Sequence, residues 1–328
     1  MTRRILPLVA VLTVLAGAVH ARGAAAASQA KPSPTKGVVV VNTNLGLQNG
    51  AAAGTGIVLT KDGEVITNSH VIAGATAIKV IVPATKRSYV ADVIGYDLAD
   101  DVALLKLEGA SNLTTATMGN SAKLKKGQAT LAVGNANGTG KLVVTSGKIL
   151  ALNQTIDVQQ DDGEVVQLAS LVRTSARLVP GDSGGPLIDK SGRVIGIDAA
   201  GSASVRTASA SGYAISINHA LILVKQIAAL RSSAVVHIGA TAFVGVQVQA
   251  ARSGVGVSVV MPGSPAETAG LAQGGVLTSI DGKTVSSFKD LRTILFAHHP
   301  GDTITIGYTD PLGNASTATL TLASGPPQ

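Results

Sequence analysis

Three side chains in this sequence have the types, and stand in the order, needed to attack an acyl carbon: His70, Asp101 and Ser183. Ser183 lies in Gly181-Asp182-Ser183-Gly184-Gly185-Pro186-Leu187, where glycines on a tight turn push the hydroxyl into the open and let backbone N–H groups approach its target. An attacked carbonyl gathers negative charge on its oxygen. The turn Gly181, Asp182 and Ser183 is the expected oxyanion hole, with the N–H groups of Gly181 and Ser183 foremost. A serine hydroxyl needs a base. His70, in Ile66-Thr67-Asn68-Ser69-His70-Val71-Ile72, ends a β-branched run and turns into Ala73-Gly74, which leaves its imidazole at the rim of a barrel. With six histidines in the chain, a packed or surface histidine is the plain alternative. Asp101, in Asp97-Leu98-Ala99-Asp100-Asp101-Val102-Ala103-Leu104-Leu105, precedes a buried strand and can fix the imidazole's tautomer and stabilise the imidazolium. Asp97 and Asp100 compete for that role, and a turn carboxylate is the bland reading of each.

These groups need a scaffold. Between residues 37 and 217 short β-branched runs alternate with Gly, Asn and Asp turns, at 38–41, 56–59, 64–67, 78–82, 102–107, 141–150 and 194–197. Many short strands without helix-length periods between them predict an antiparallel barrel or sandwich. Leu221, Val224, Ile227 and Ala228 then recur at helical spacing, so one amphipathic helix over 220–230 closes the first domain. Residues 231–239 read as a linker. A last domain over 240–324 begins with alternating strands, and Ser264-Pro265-Ala266-Glu267 opens a short helix. A strand at 276–280 turns at Asp281-Gly282. Ser287, with Asp290 three residues on, starts a helix that buries Phe288, Leu291 and Leu295. Two strands flank Asp310-Pro311-Leu312-Gly313.

The chain has 328 residues, enough for two domains, and 45% are hydrophobic but only 2% aromatic, so its cores rest on Val, Ile, Leu and Ala. Arg3 and Arg4 precede an apolar run over 5–19, and small residues at 24–27 offer Ala-x-Ala cleavage sites. That run falls short of the roughly 20 residues a membrane span needs, which favours a cleaved export signal over 1–27 above an uncleaved anchor. Residues 28–36 read as a solvated tether. With no cysteine, stability must come from packing, and thiol chemistry is excluded. Removing 1–27 takes away three arginines and no acids, leaving 23 basic against 19 acidic residues, a net of +4. That excess is scattered, so nucleic acid is a poor partner, and loose attraction to an anionic cell envelope is the milder reading. Asp161-Asp162-Gly163-Glu164 lacks the rest of a calcium loop, and adjacent His298-His299 do not face one ligand site. No metal or organic cofactor is expected.

The motifs together resemble one family, the HtrA (Deg) proteases within the wider chymotrypsin-like fold. Thr67-Asn68-Ser69-His70-Val71 resembles its histidine motif, and Asp101-Val102-Ala103-Leu104-Leu105-Lys106 its aspartate strand, which singles out Asp101 as the acid. Gly134-Asn135 and Thr145-Ser146-Gly147-Lys148-Ile149 match two further signatures. The resemblance implies an all-β double barrel with the active site in the cleft between barrels, followed by a small α+β domain. That last domain resembles a bacterial PDZ module, through Gly263-Ser264-Pro265-Ala266-Glu267-Thr268-Ala269-Gly270-Leu271 and Val276-Leu277-Thr278-Ser279-Ile280-Asp281-Gly282-Lys283. Gly274-Gly275 stands where such modules usually carry Gly-Asp. By resemblance, Phe243-Val244-Gly245-Val246 holds a peptide's terminal carboxylate, and the helix bearing Leu291 and Leu295 walls the groove; core packing of Phe243 is the alternative.

Three departures shape the expectations. Asp182 replaces the family's usual Asn, and a buried carboxylate needs a partner; Arg177 or Arg173 is the expected one, with backbone N–H groups the alternative. By resemblance, Arg177, Leu178 and Val179 line the primary pocket, with Ala199 and Ala200 on a wall. Small apolar walls favour an aliphatic substrate residue, whereas Arg177 pointing inward would favour an acidic one. The aromatic anchors of the family's usual trimer are missing, since no Phe or Trp precedes residue 243 and the first Tyr is Tyr89; monomer and trimer both stay open. The expected function is an exported serine endopeptidase acting on unfolded or exposed polypeptide, with the PDZ domain recruiting or gating. The other reading is a silent PDZ scaffold that binds protein C-termini.

Overall fold

The computed structural model describes residues 33–159, 165–199, 211–252 and 254–327. The expected signal over 1–27, most of the tether, the acidic turn 161–164 and Ala200 lie outside the described residues. β1 (Val38–Leu45), β2 (Gly50–Val58), β3 (Glu64–Thr67), the one-turn helix α1 (Ser69–Ile72), β4 (Ala77–Val82), β5 (Arg87–Asp97) and β6 (Val102–Leu107) come first. Antiparallel pairing runs β5-β4-β1-β2-β3-β6 and closes from β6 back to β5, which makes a six-stranded barrel. The apolar runs are continuous rather than alternating because both faces are buried. On β6, Ala103, Leu105 and Leu107 fill the barrel with Val39, Val41, Val65 and Val80, while Val102 and Leu104 point the other way.

That outward face meets a second barrel. β7 (Thr117–Met118), β8 (Ala129–Gly134), β9 (Val143–Gln159), β10 (Val165–Thr174), β11 (Pro186–Asp189), β12 (Arg193–Asp198) and β13 (Gly212–Ser216) follow. Pairing runs β11-β8-β9-β10-β13-β12 and closes from β12 to β11, with β7 parallel beside β12. Leu187, Ile195, Ile149 and Val172 fill this barrel. Between the barrels, Val38, Ile66, Leu104, Val133, Ile188 and Ile197 form one cluster, sealed by Ala220, Val224 and Ile227 of α2 (Ile217–Ala228).

The expected linker is partly ordered. β14 (Val236–Ile238) adds to β5, so the second half of 231–239 extends the first barrel's sheet. Beyond it lie β15 (Thr241–Phe243), β16 (Val246–Ala250), β17 (Val255–Val260), α3 (Pro265–Thr268), β18 (Val276–Ile280), β19 (Lys283–Thr284), α4 (Phe288–Phe296), β20 (Thr303–Thr309), β21 (Ala315–Thr321) and β22 (Ala323–Gly325). β15 pairs with β22, and a second sheet runs β16-β17-β18-β20-β21 with β19 on β18. Ser287 caps α4 by accepting the Asp290 N–H, whereas the Asp290 carboxylate reaches back to the Ser286 N–H, one residue earlier than a capping box has it. Leu277, Ile280, Leu291, Leu295, Ile304 and Ile306 form the core here.

Candidate active site

β3 delivers His70 by ending at Thr67, so that α1 carries the imidazole out at the barrel rim, where its side chain is 47% exposed. Asp101 waits opposite, at the mouth of β6, in a left-handed backbone conformation (φ +54°) and with its side chain 9% exposed. His70 Nδ1 lies 2.8 Å from Asp101 Oδ2 and 3.0 Å from Oδ1. The same carboxylate accepts the His70 N–H at 3.0 Å and the Ser69 hydroxyl at 2.9 Å, while Asn68 Nδ2 donates to the Asp101 carbonyl at 2.8 Å. A carboxylate with this many donors is pinned in one orientation, and with it the ring. Withdrawal from water pushes His70 toward its neutral form, but the Asp101 charge and hydrogen bond outweigh it, so its pKa is raised above the ordinary histidine value.

The two acids that compete in the sequence are engaged elsewhere. Asp100 Oδ1 sits 3.0 Å from His219 Nε2 on α2. Asp97 accepts the Asp100 N–H at 2.9 Å, and burial raises its pKa to about 6.

Ser183 lies in the connection from β10 to β11, and the first barrel holds that loop. Thr55 on β2 donates its hydroxyl to the Gly181 carbonyl at 2.7 Å and its N–H to the Ser183 carbonyl at 2.8 Å. The Thr55 hydroxyl also accepts the Asn135 N–H at 2.8 Å, and Thr67 donates its own hydroxyl to the Thr55 carbonyl at 2.7 Å. A Cβ on Gly54 would strike Val71 and approach the Ser183 carbonyl, so the turn bearing His70 and the loop bearing Ser183 meet across one glycine. Gly181 has φ +93°, a conformation that suits glycine and turns the loop's amides. The Asp182 N–H donates to the Val179 carbonyl at 3.0 Å, which removes it from the expected set of oxyanion donors.

Asp182 serves through its side chain instead: Oδ2 accepts the Val179 N–H at 2.9 Å. That is the backbone alternative to an arginine partner; Arg177 is exposed, and Arg173 Nε donates to the Ser211 hydroxyl. Burial raises the Asp182 pKa, and the Val179 N–H opposes this. Leu178 lies over Gly212, where a Cβ would strike it, and packs with Ala176 and Leu187 in the second barrel's core. Ala199 is half-buried, its N–H on the Tyr213 carbonyl at 2.9 Å. Thr55, Thr67, Asn68 and Ser69 carry roles that sequence reasoning missed. The only signal for Thr55 is its place between Gly54 and Gly56, glycines that let loop and strand come close.

In the last domain Phe243 ends β15 opposite Ala323, Val244 is buried, and Gly245 has φ +90° with its carbonyl accepting the Met261 N–H at 2.9 Å. Phe243 and Val246 line a cavity of about 440 Å³ with Gln247 and Met261, and Gln48 and Gly74 of the first barrel reach the same space. β16 is the outer strand of its sheet. Leu291 and Leu295 of α4 face the core rather than that cavity, because the helix packs its most apolar stripe inward. Among the described residues no group of acids and histidines could hold a metal ion.

A trypsin-like peptidase domain model matches residues 54–197, and a PDZ domain model matches 242–321. Serine protease PepD of Mycobacterium tuberculosis is 30% identical over 302 residues, 87% of this chain and 63% of its own length. Periplasmic serine endoprotease DegP of Escherichia coli K12 is 33% identical over 266 residues, 78% of this chain and 54% of its own. Serine protease Do-like HtrB of Bacillus subtilis is 33% identical over 265 residues, 74% of this chain and 56% of its own. The chain thus spans between about half and two thirds of the length of these relatives. Among solved structures, the HtrA-type protease AlgW with a tripeptide superposes with a TM-score of 0.51 at 26% identity, covering 90% of this chain and 99% of that one.

Proposed function

From a chain that carries a trypsin-like peptidase domain and a PDZ domain and is homologous to the HtrA/DegP serine proteases, we propose a serine endopeptidase in which Ser183 is the nucleophile, His70 its base and Asp101 the group that orients the base. The observation that carries this reading is the two-oxygen grip of Asp101 on His70 Nδ1, at 2.8 and 3.0 Å, which turns Nε2 into the free face of the ring. Ser183 Oγ attacks the scissile carbonyl as its proton passes to His70 Nε2. Asp101 stabilises the imidazolium, and the Gly181 and Ser183 N–H groups meet the oxyanion. His70 then gives the proton to the leaving amine, and water repeats the sequence on the acyl-enzyme.

The proposed organisation follows the residues: an export signal over 1–27, a tether over 28–36, the peptidase over 37–230, a junction over 231–239 and the PDZ domain over 240–324. Periplasmic relatives support export to the cell envelope. Unfolded or exposed polypeptide is the proposed substrate, cut after a small or medium aliphatic residue, because Arg177 is exposed and the half-buried Val179 and Ala199 are apolar. A peptide end would enter beside Phe243, Gly245 and Val246 and add to β16.

The test is casein degradation with fluorophosphonate labelling, comparing the mature protein with Ser183→Ala. Cleavage and labelling should both vanish in the variant, with turnover down by about 10⁶-fold. A folded parent protein that neither labels nor cleaves would leave the peptide-binding scaffold as the better reading.

A further inference from the structure

Behind the Ser183 loop lies a second carboxyl that the proposed reaction does not use. Asp198, the last residue of β12, is fully buried, and neither carboxyl oxygen has a well-formed hydrogen bond, the Val133 backbone N–H facing it only loosely. Its backbone is stitched to the loop: the Asp198 carbonyl accepts the Gly184 N–H at 2.9 Å, and the Asp198 N–H donates to the Gly185 carbonyl at 2.7 Å. Gly185 in turn donates to the Asp182 carbonyl at 2.9 Å, so Asp182 and Asp198 flank the same two glycines. Asp182 is 4% exposed and wedged against β8, where a Cβ on Gly134 would collide with it. Two buried carboxyls side by side cannot both stay ionised without a cation between them.

We infer that Asp198 is a positioning residue that stays a neutral carboxylic acid, which lets the Asp182 carboxylate hold the Val179 N–H and keep the Ser183 turn in its working shape; loss of the Asp198 proton sets two like charges against each other and unseats that turn. The inference rests on the serine peptidase reading for its kinetic consequence only. Burial pushes Asp198 well above the usual carboxylate range, the Asp182 charge pushes the same way, and a backbone group of Val133 opposes them. On Asp182 the opposed influences are burial and the Val179 N–H. β13 brings only Ala214 opposite Asp198 in the sheet.

The sign follows from linkage. A carboxyl whose folded pKa is raised contributes most below its unfolded value, near 3.9, and that contribution is lost as pH rises through the folded value. Thermal unfolding of the parent should therefore weaken across that interval, and the weakening should shrink in Asp198→Asn, which keeps the shape without the charge. Asp182→Asn should shrink it too, because it removes the repelling partner. In fluorophosphonate labelling, the fall of the parent across the interval in which Asp198 ionises should be absent from either variant, since neither can set two like charges against each other behind the turn. Parallel stability curves for the parent and both variants would overturn the inference whether or not the protein cleaves anything. A parent that shows the stability difference yet never labels would instead count against the peptidase reading, leaving the carboxyl pair standing. Should Asp198→Asn fail to fold, Asp182→Asn alone decides by the same two readouts.

Discussion

His70 carries two opposed influences, partial withdrawal of its ring from water against the charge of Asp101, and the balance sets where the proposed base becomes available. Because its pKa is raised, the active neutral imidazole appears only as pH climbs past the ordinary histidine range, so kcat/KM should rise with pH along a limb displaced upward. Asp101→Asn removes the charge while leaving a side chain of the same shape. The limb should shift to lower pH, since burial then acts alone, and the plateau should fall by about 10⁴-fold because the ring loses its tautomer. A pH–rate profile of the variant checks both at once. A variant whose limb stays in place would mean that Asp101 does not set the His70 pKa. The residue scale is also where the sequence is most legible. Asp101 stands out from Asp97 and Asp100 in the sequence only through its resemblance to the family's aspartate strand; in the structure it abuts β6, whose Ala103 lies opposite Thr67 of β3. What the string of letters does not carry is donor count: Asn68 and Ser69 stand in the histidine motif, but only folding aims them at Asp101.

β2 and β3 together hold the loop of the other barrel, and Thr55 is the residue through which they do it. Its hydroxyl donates to Gly181 and accepts from Asn135, and its backbone binds Ser183 and Thr67. Thr55→Val keeps the volume and removes both hydroxyl bonds, stranding the half-buried Gly181 carbonyl and the buried Asn135 N–H. The cost should be about 1–3 kcal/mol for each group left unsatisfied, seen in thermal unfolding. Part of it should appear in kcat, as a fall of roughly 10–100-fold, since 1.4 kcal/mol of misplacement is tenfold in rate. Wild-type kcat in a stable Thr55→Val protein would show that the oxyanion loop holds its own shape. At this scale β3, β6 and β18 were readable to the residue, because each is a short apolar run between turn formers. β2 was not: its first half, Gly50 to Gly54, has no apolar pattern and becomes a strand only by pairing with Leu45 to Val41 of β1. The turn of helix that presents His70 leaves no mark in the sequence for a similar reason, four residues being too few to show a period.

The whole molecule is joined by aromatic rings that the composition makes scarce. Tyr96 of β5, His237 of β14 and Phe296 of α4 meet with centroids 5.2–5.8 Å apart, and His299 stacks on His237 at 5.3 Å. The Tyr96 hydroxyl lies 3.2 Å from the Thr241 hydroxyl, and the His237 ring nitrogens lie 3.2 Å from the Phe296 carbonyl and 3.0 Å from the Ala240 carbonyl, to one of which a neutral ring donates. Phe296 even packs in the first barrel's core, although its helix belongs to the last domain. None of this was legible beforehand, since 231–239 looks like a linker and long-range pairing leaves no local mark. A second tie runs from the Gly74 N–H, just past the His70 turn, to the Pro327 carbonyl at 2.7 Å. Inter-domain faces inside a chain usually permit relative motion unless they are large and apolar, so the ring cluster is what should make the barrels and the last domain unfold together. Phe296→Ala should cost about 3–5 kcal/mol as a buried Phe truncation and lower Tm on the order of 10 °C for a chain of this size. Scanning calorimetry should resolve one joint transition in the parent and two in the variant, with the last domain released from the barrels. A single transition merely displaced to lower temperature would assign Phe296 to the barrel core alone and leave the Gly74–Pro327 bond as the remaining tie between the site and the last domain.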